Sequence, residues 1–203
     1  EQIGEGASGI IHRAETSLTE QLNDQQHIAV KLFKGEITSD GYPLAELANC
    51  IQAGQHEHLI KVLGQIDEPE QLGLLMSLIP SDFKNLGLPP NFETCTRDTF
   101  ADTTQFSLNE VFDIALAMAN TLQHLHENKV SHGDIYAHNI MIKSDQDSQK
   151  TKVLFGDFGA ASNLKTLPTL QIEAIESIEV RAFGCLLEDL LNLATDKTSQ
   201  KYR

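Results

Sequence analysis

The sequence predicts an α+β fold of two lobes, because strand-like segments dominate its first 80 residues and helical segments dominate the remainder. Residues 27–33 and 72–79 are short apolar runs bounded by polar residues, as is typical of strands in an antiparallel sheet. Residues 107–128 and 179–193 carry apolar side chains at helical spacing. A strand-rich front joined to a helix-rich back suggests two lobes with a cleft between them.

Composition limits the classes of partner and the cellular setting. The chain has 203 residues, 40% of them apolar, which is enough for a core in one domain or in one domain of two lobes. Its net charge of −14 argues against nucleic acid or an anionic membrane as the main partner. The three cysteines are far apart and form no CxxC pair, so neither a disulfide framework nor a zinc site is expected. With no disulfide framework expected, we interpret the chain as cytoplasmic, or as the cytoplasmic part of a larger protein. No apolar run reaches about 18 residues and no signal peptide opens the chain, so no membrane insertion is expected.

The first lobe is predicted to begin with a glycine-rich hairpin. Residues 4–9 read GEGASG, and two isoleucines and a polar loop separate them from the strand HIAVKLF. A short helix is predicted next, with Pro43 in its first turn and Gly54 as its C-terminal cap. Two further strands follow, HLIKVLGQI and LGLLMSLI, with a turn near Pro69.

The second lobe is predicted to be built around two helices. Residues 80–104 are expected to be irregular. Ser107 and Glu110 then form a capping-box pattern at the start of the clearest helix. Its predicted core positions are Leu108, Val111, Phe112, Ala115, Met118, Ala119, Leu122 and Leu125. The segments IMI and KVLF are predicted to form a hairpin, and residues 179–193 the second helix.

The glycines of residues 4–9 fit the pattern GxGxxG, which is weak on its own. A dinucleotide-binding fold requires a helix directly after the glycines, whereas strand-like residues follow here. A hairpin fits better, because glycines let the backbone approach phosphate oxygens with its N–H groups facing them. An ordinary glycine-rich turn is the alternative that this segment alone leaves open.

A single lysine, Lys31, interrupts the apolar strand that follows. A lysine in such a strand usually lies on the wet face of the sheet. It could instead point into the cleft and bind phosphate, in which case a carboxylate such as Glu46 on the next helix would hold it. An exposed helix position is the default interpretation of Glu46.

An acid, an amide and a second acid follow in the second lobe at Asp134, Asn139 and Asp157. Phosphoryl transfer from ATP needs metal ions that neutralise the phosphates and a group that orients the attacking hydroxyl. Magnesium takes oxygen ligands, which suits Asn139 and Asp157, and Asp134 can accept the hydroxyl proton. Taken singly, the two acids could be turn residues beside Gly133 and Gly156, which is common.

Taken together and in this order, the motifs resemble those of the eukaryotic-type protein kinase family. The matching segments are GEGASGII from Gly4, AVK at residues 29–31, Glu46, HGD with Asn139, and DFG from Asp157. The segments HGDIYAHN, GDFGAAS, CTRD and EVRAFGCLLEDLL are most similar to bacterial kinase domains joined to leucine-rich repeats. The resemblance implies a bilobal kinase fold with its N-lobe at residues 1–79 and a shortened, helical C-lobe at residues 80–203.

The resemblance also implies a role for each motif residue, with ATP and Mg²⁺ as cofactors. Asp134 would be the catalytic base, and Lys31, paired with Glu46, would contact the α- and β-phosphates. Asn139 and Asp157 would bind magnesium, and His132 would be structural. The residues expected to contact ATP are Gly4, Glu5, Gly6, Ala7, Ser8, Gly9, Ile11, Ala29, Lys31, Met76, Ser77, Leu78 and Ile79. The glycine-rich hairpin would cover the phosphates, and residues 77–79 would form the hinge.

Departures from the family pattern predict how this chain differs. Gly133 replaces the Arg that normally meets a phosphorylated activation loop, so activity is predicted not to require that phosphorylation. Tyr136 and His138 match neither the Ser/Thr nor the Tyr kinase pattern, which leaves the acceptor hydroxyl open. Residues 160–178 are short and lack an APE motif, so a reduced substrate platform is expected. The last helix is expected to need a cover for its apolar surface: a partner, a second subunit or a missing C-terminal segment.

Three functions remain open on the sequence alone. The first is a kinase that transfers phosphate to a protein hydroxyl, of Ser/Thr rather than Tyr, with the chain itself as a further substrate. The second is a small-molecule phosphotransferase of the aminoglycoside- or choline-kinase type, which shares the HGD motif. The orderly glycine loop and the lack of room for a large helical pocket argue against it. The third is a pseudokinase scaffold, and the presence of every motif residue argues against that.

Overall fold

The first lobe is an antiparallel sheet with one helix, as the sequence predicts, and the sheet has five strands. Its strands are β1 (Gln2–Glu5), β2 (Gly9–Glu15), β3 (His27–Phe33), β4 (Val62–Glu68) and β5 (Gln71–Ser77), in the spatial order β1-β2-β3-β5-β4. The structure, a computed structural model, describes residues 1–6, 8–15, 27–35, 37, 41–68, 71–94, 96–145 and 150–195. The predicted polar loop between β2 and β3 and the predicted turn near Pro69 lie outside these residues.

The glycine-rich segment forms the turn between β1 and β2, which confirms the predicted hairpin. The N–H of Gly6 donates to the carbonyl of Gly9 over 2.9 Å. Any side chain at Gly9 would place a Cβ 2.6 Å from the carbonyl oxygen of Leu32 on β3. Glycine therefore permits the close approach of β2 to β3 at the mouth of the hairpin.

The helix of the first lobe, α1 (Pro43–Ala53), has the ends that the sequence predicts. Pro43 occupies its first turn, and the N–H of Gly54 donates to the carbonyl of Ile51 over 3.2 Å. Leu47 and Ala53 are buried, and the helix packs against β4 and β5 of the sheet. This packing sets the helix, and with it Glu46, behind the strand that carries Lys31.

The main helix of the second lobe is α2 (Leu108–Glu127). Both hydrogen bonds of the capping box form: Ser107 Oγ accepts from the N–H of Glu110, and the N–H of Ser107 donates to the Glu110 carboxylate over 2.8 Å. The buried side chains are Val111, Ile114, Ala117, Met118, Thr121, Leu122 and Leu125.

The predicted core face of α2 is wrong in one respect, because Phe112 is 66% exposed. Leu116, one turn further along, is 64% exposed and shares this outward stripe. Ile114 and Ala117, which the prediction omitted, are buried in their place. Two overlapping apolar stripes satisfy the same helical spacing, and packing against β9 and α3 selects the one that faces the core.

Short sheets complete the second lobe and carry its loops. The elements are β6 (Lys84–Asn85), β7 (Val130–Ser131), a 3-10 turn (Ala137–Asn139), β8 (Ile140–Asp145), β9 (Lys150–Phe155) and β10 (Ser162–Asn163). Strands β8 and β9 pair antiparallel, which confirms the predicted hairpin, and β6 joins them from a region expected to be irregular. Strands β7 and β10 pair antiparallel, although β7 precedes the 3-10 turn in the chain and β10 follows it.

The last helix, α3 (Thr169–Asn192), begins ten residues earlier than predicted. The sequence interpretation assigned residues 160–178 to the activation region, but residues 169–178 are helical. Pro168 stands at the N-cap with extended backbone, and the good helix formers of LQIEAIE follow it. The segment between the DFG motif and α3 is therefore even shorter than expected.

Helix α3 exposes much of its apolar surface. Only Glu179, Leu186 and Leu190 of this helix are buried, whereas Leu170, Ile178 and Val180 are 79%, 66% and 60% exposed. Within the described part of the chain, no helix is long and apolar enough to cross a membrane.

The capping box makes a testable contribution to stability. Ser107→Ala removes the side-chain acceptor for the first turn of α2, so it should lower the free energy of unfolding by about 1 kcal/mol. Denaturant unfolding measures this change. The matched control is Asn109→Ala in the same exposed turn, which should leave stability unchanged or slightly raised. Equal stability of Ser107→Ala and wild type would show that the box contributes nothing.

Candidate active site

A cavity of about 300 Å³ lies between the two lobes, with side chains of both lobes as its walls. Its apolar part is lined by Ile11, Val62, Leu74, Met76 and Met141. Its polar end holds Lys31, Glu46, Asn139 and Asp157. An apolar slot suits a planar ring, and a charged end suits phosphate groups or metal ions, so the cavity has the two chemical parts that a nucleotide needs.

Lys31 and Glu46 form a buried ion pair that joins β3 to α1. The ammonium nitrogen of Lys31 lies 2.5 Å from Oε1 of Glu46, and the two residues are 8% and 4% exposed. The buried hydroxyl of Ser8 makes a further hydrogen bond to Glu46. Burial raises the pKa of Glu46, and the Lys31 ammonium opposes that rise. The pair holds the lysine at the charged end of the cavity.

Asp157 approaches the same lysine from the second lobe. Its Oδ1 lies 3.7 Å from the Lys31 ammonium, and its side chain is 56% exposed. Its φ of 62° lies in the left-handed region, which is uncommon outside glycine and recurs at functional sites. The next residue, Phe158, is buried, with its ring 5.0 Å from that of His132. The two lobes therefore place opposite charges against each other across the cleft.

Helix α1 is also attached to the second lobe by side-chain amides. Asn49 donates to the carbonyl of Ala161 over 2.6 Å, and Gln52 donates to the carbonyl of Asn128 over 2.9 Å. Asn163, on β10, donates to Gln52 Oε1 over 2.6 Å. These bonds fix the helix that carries the acidic partner of the ion pair.

Asp134 and Asn139 lie side by side in the loop before β8. The amide nitrogen of Asn139 donates to Oδ2 of Asp134 over 2.8 Å and to its carbonyl over 3.1 Å. Nε2 of His138 lies 4.0 Å from the same carboxylate oxygen, and the Asp134 side chain is 34% exposed. Because the Asn139 amide nitrogen is used by Asp134, its amide oxygen is the atom suited to meet a cation.

His132 is part of the support beneath this loop. It is fully buried, its ring stacks on Phe155 at 4.0 Å, and Nε2 lies 3.0 Å from the carbonyl oxygen of Gly156. Burial lowers its pKa, which favours the neutral ring. A neutral ring that bonds to the backbone suits the structural role predicted for His132.

Two residues that the sequence interpretation did not assign, Glu179 and His126, hold the loop from below. Oε1 of Glu179 accepts from the N–H of Gly133 over 2.8 Å, and Oε2 lies 2.7 Å from Nε2 of His126. Burial would raise the pKa of Glu179, but the hydrogen bonds from His126 and Gly133 lower it. Because α3 carries several acids, the sequence alone does not tell that Glu179 is the buried one and needs polar partners.

Gly133 has a steric reason to be glycine. Its φ is 78°, and a Cβ at this position would lie 2.5 Å from the carbonyl oxygen of Ala160. A side chain here would therefore clash with the segment that follows the DFG motif. The backbone conformation of the loop therefore excludes an arginine at this position.

Only some of the residues predicted to contact ATP line the cavity between the lobes. The cavity is lined by Ile11, Lys31, Met76 and Ile79, and Ala29 lies opposite Met76 in the pairing of β3 with β5. The hinge residues 77 and 78 line a separate cavity, and Ile79 lines both cavities.

The described hairpin residues are not among those that line the cavity. They are Gly4, Glu5, Gly6, Ser8 and Gly9, and Ala7 lies outside the described residues. Glu5 instead pairs with Lys34 over 2.5 Å. The prediction omitted several wall residues, and three of them are apolar side chains on strands that flank the cleft: Val62, Leu74 and Met141. Strand alternation alone does not tell which of the two faces meets the cleft.

The donors present fit magnesium better than a softer metal. Asn139 and Asp157 supply an amide and a carboxylate oxygen at the polar end of the cavity. Magnesium keeps several waters and uses one or two protein oxygens together with phosphates. Among the described residues, no group of three His, Cys, Asp or Glu side chains is placed to hold a metal ion. An ion here would therefore depend on the nucleotide for part of its coordination.

Comparison with known proteins agrees with this geometry. Residues 1–199 match the family model described as protein tyrosine and serine/threonine kinase. The chain is 24% identical to cyclin-dependent kinase 11B of Mus musculus over 212 residues, which cover 94% of this chain and 24% of that protein. It is 26% identical to the serine/threonine-protein kinase PITSLRE of Drosophila melanogaster over 165 residues, or 79% of this chain and 15% of that protein.

A plant protein gives a similar match. The chain is 25% identical over 209 residues to a probable LRR receptor-like serine/threonine-protein kinase of Arabidopsis thaliana, covering 94% of this chain and 18% of that protein. The chain thus spans about a quarter or less of the length of these relatives. By the extent of the family match and the bilobal fold, the chain belongs to the protein tyrosine and serine/threonine kinase family.

Proposed function

We propose that this chain is a protein kinase that uses ATP and Mg²⁺ to phosphorylate hydroxyl groups of proteins. One observation carries the proposal: groups from both lobes converge on one cavity. At this cavity Lys31 lies 2.5 Å from Glu46 and 3.7 Å from Asp157. Asn139 also lines it and donates over 2.8 Å to Asp134, which itself lines a second cavity of about 140 Å³. These are the charged and polar groups that phosphoryl transfer requires.

Each residue has a distinct task in the proposed transfer. Lys31, oriented by Glu46, binds phosphate oxygens of ATP. Asn139 and Asp157 offer oxygen ligands to Mg²⁺, which when bound neutralises charge on the phosphates. Asp134 accepts the proton of the acceptor hydroxyl while the hydroxyl oxygen forms a bond to the γ-phosphorus. The bond from that phosphorus to the β-γ bridging oxygen breaks, and ADP leaves.

The acceptor is proposed to be Ser or Thr of a protein, with the chain itself as a further substrate. The printed names of two relatives as serine/threonine-protein kinases support this class. The similarity to an LRR receptor-like kinase supports our proposal that this domain accompanies leucine-rich repeats, as in the bacterial proteins that its motifs resemble. We further propose that the boundary between the lobes lies at residue 79 and that the protein is cytoplasmic. A partner, a second subunit or a further segment is proposed to cover the exposed apolar face of α3.

The roles of Asp134 can be tested by an isosteric change. Asp134→Asn keeps an oxygen that accepts from Asn139 but cannot take the hydroxyl proton, so kcat should fall on the order of a hundredfold to ten-thousandfold. Transfer of radiolabelled phosphate to casein and to the chain itself measures this loss, and calorimetry should show unchanged ATP binding. Unchanged transfer would remove Asp134 from the chemistry. Aminoglycosides and choline assayed in parallel should accept no phosphate.

The metal role of Asp157 is tested by nucleotide binding. Asp157→Asn should weaken binding of ADP about tenfold in the presence of Mg²⁺, because it removes the charge that faces the ion. In EDTA the variant and the wild type should bind ADP alike. Glu173→Gln, a change of an exposed acid on α3, is the matched control and should alter neither measurement. Equal affinities with Mg²⁺ would contradict the metal role.

The segment after the DFG motif should not need phosphorylation. Asn49 and Asn163 tie it to α1, and the N–H of Leu164 donates to the carbonyl of Lys129 over 2.8 Å. Thr166→Ala and prior phosphatase treatment should therefore leave initial rates within about twofold of the untreated enzyme, since no phosphate is needed to order the segment. Asn163→Ala should lower the rate. A large loss after phosphatase treatment alone would contradict the expectation.

A further inference from the structure

The 3-10 turn at Ala137–Asn139 follows Asp134 in the loop and ends with Asn139, the second polar residue of the site. The first N–H groups of such a turn have no partner within it. Tyr136, at its N-cap, makes no side-chain capping hydrogen bond. Ala137 is fully buried, so its N–H needs an acceptor from elsewhere in the fold.

Asp98 supplies that acceptor from a distant part of the chain. Its Oδ1 accepts from the N–H of Ala137 over 2.7 Å. Asp98 belongs to the irregular segment before α2 and is half-buried. Its carboxylate thus caps a turn that begins 39 residues later in the chain.

The segment that carries Asp98 is itself anchored. The neighbouring Arg97 pairs with Asp189 over 2.5 Å and with Glu188 over 3.3 Å, both on α3. Earlier in the same irregular region, the N–H of Gly87 donates to the carbonyl of Ala137 over 3.0 Å. The irregular region therefore bonds to both backbone groups of Ala137: Asp98 accepts from its N–H, and Gly87 donates to its carbonyl oxygen.

The position of Asp98 connects the turn to the open side of the loop. It lines a cavity of about 140 Å³ together with Asp134 and His138, and a second one of about 270 Å³ with Ile135 and Arg97. A displacement of this carboxylate would release the N-terminus of the turn. Asn139 ends that turn, so its amide would shift relative to Asp134.

We propose that Asp98 is a positioning residue for the catalytic loop. It caps the 3-10 turn by accepting from Ala137 and so holds Asn139 and Asp134 at their mutual distance. The inference rests on the proposed kinase function. It assigns the role to hydrogen-bond acceptance rather than to contact with substrate.

The decisive comparison is between Asp98→Ala and Asp98→Asn. The alanine variant loses the acceptor, and we expect kcat for casein to fall on the order of tenfold to a hundredfold, since small displacements of catalytic groups have effects of this size. The asparagine variant keeps an acceptor oxygen and should stay within about threefold of wild type. The KM for casein should change little in both. Asp102→Ala, at an exposed acid of the same segment, is the matched control and should leave kcat unchanged.

Binding of ADP provides a readout that does not depend on turnover. In wild type, Mg²⁺ should strengthen ADP binding, and Asp98→Ala should lose much of this gain because Asn139 is displaced. Binding in EDTA should be unaffected. This measurement separates the two proposals, since a wild type without any transfer activity would defeat the kinase function and still leave the effect of Asp98 measurable.

A second variant covers the case in which Asp98→Ala folds poorly. Ala137→Pro removes the N–H that would be left unpaired, and the extended backbone of Tyr136, with ψ of 151°, suits the residue before a proline. The double variant Asp98→Ala/Ala137→Pro should recover stability and ADP binding relative to Asp98→Ala.

Three results would overturn the proposal. Unchanged kcat and unchanged Mg²⁺-dependent ADP binding in Asp98→Ala would show that the turn needs no cap. A raised KM for casein at unchanged kcat would make Asp98 a substrate contact. A loss of kcat in Asp98→Asn as large as in Asp98→Ala would assign the effect to the charge of Asp98. If Asp98→Ala and the double variant both fail to fold, a large loss of kcat in a folded Asp98→Asn would overturn the proposal on its own.

Discussion

The buried pair of Lys31 and Glu46 is the interaction on which the geometry of the cleft depends. Both charges have left water, so each is tolerated only while the other is within reach. Removing one partner of such a pair typically costs about 3–5 kcal/mol, because the other charge is left uncompensated. The pair therefore ties the sheet to α1 and permits little independent movement of either. A weaker, partly exposed contact to Asp157 extends this constraint to the second lobe.

The same constraint reaches the second lobe through α1. Its amide side chains bond to the backbone beside β7 and to the segment around β10. Beneath the loop, Glu179 accepts from Gly133 and bonds to His126 of α2. The polar groups of the cleft are thus held by hydrogen bonds from three helices. Buried hydrogen-bond networks of this kind restrict movement, and they suit a site whose charges must be in place before the nucleotide arrives.

Most of the fold could be predicted from the sequence, because its signals are local. The capping box at Ser107, Pro43 at the start of α1 and the apolar runs of β3 and β5 each specify structure within a few residues. The start of α3 was missed, since residues 169–178 expose most of their apolar side chains and offer no clean buried face. The outward position of Phe112 depends on which neighbours α2 meets, and helical spacing does not contain that information.

The candidate site was predictable to the extent that it consists of ordered motifs. The motif residues that line the cavity, such as Lys31 and Asp157, could be named without coordinates. The groups that support them could not, because Glu179 and Asp98 meet their partners across long stretches of chain. A hydrogen bond of this kind leaves no periodicity or spacing to read. Glu179 is one of five acids on α3, so nothing in the sequence marks it as the buried one.

The backbone of Gly133 bears on how this kinase domain can evolve. A side chain there would collide with the carbonyl of Ala160, and the positive φ would strain any other residue. Arginine could therefore enter this position only if the neighbouring segment also moved, so a single substitution would not suffice. Gly133 is thus an epistatic barrier between this kinase domain and kinases that carry an arginine here and respond to phosphorylation of the activation loop.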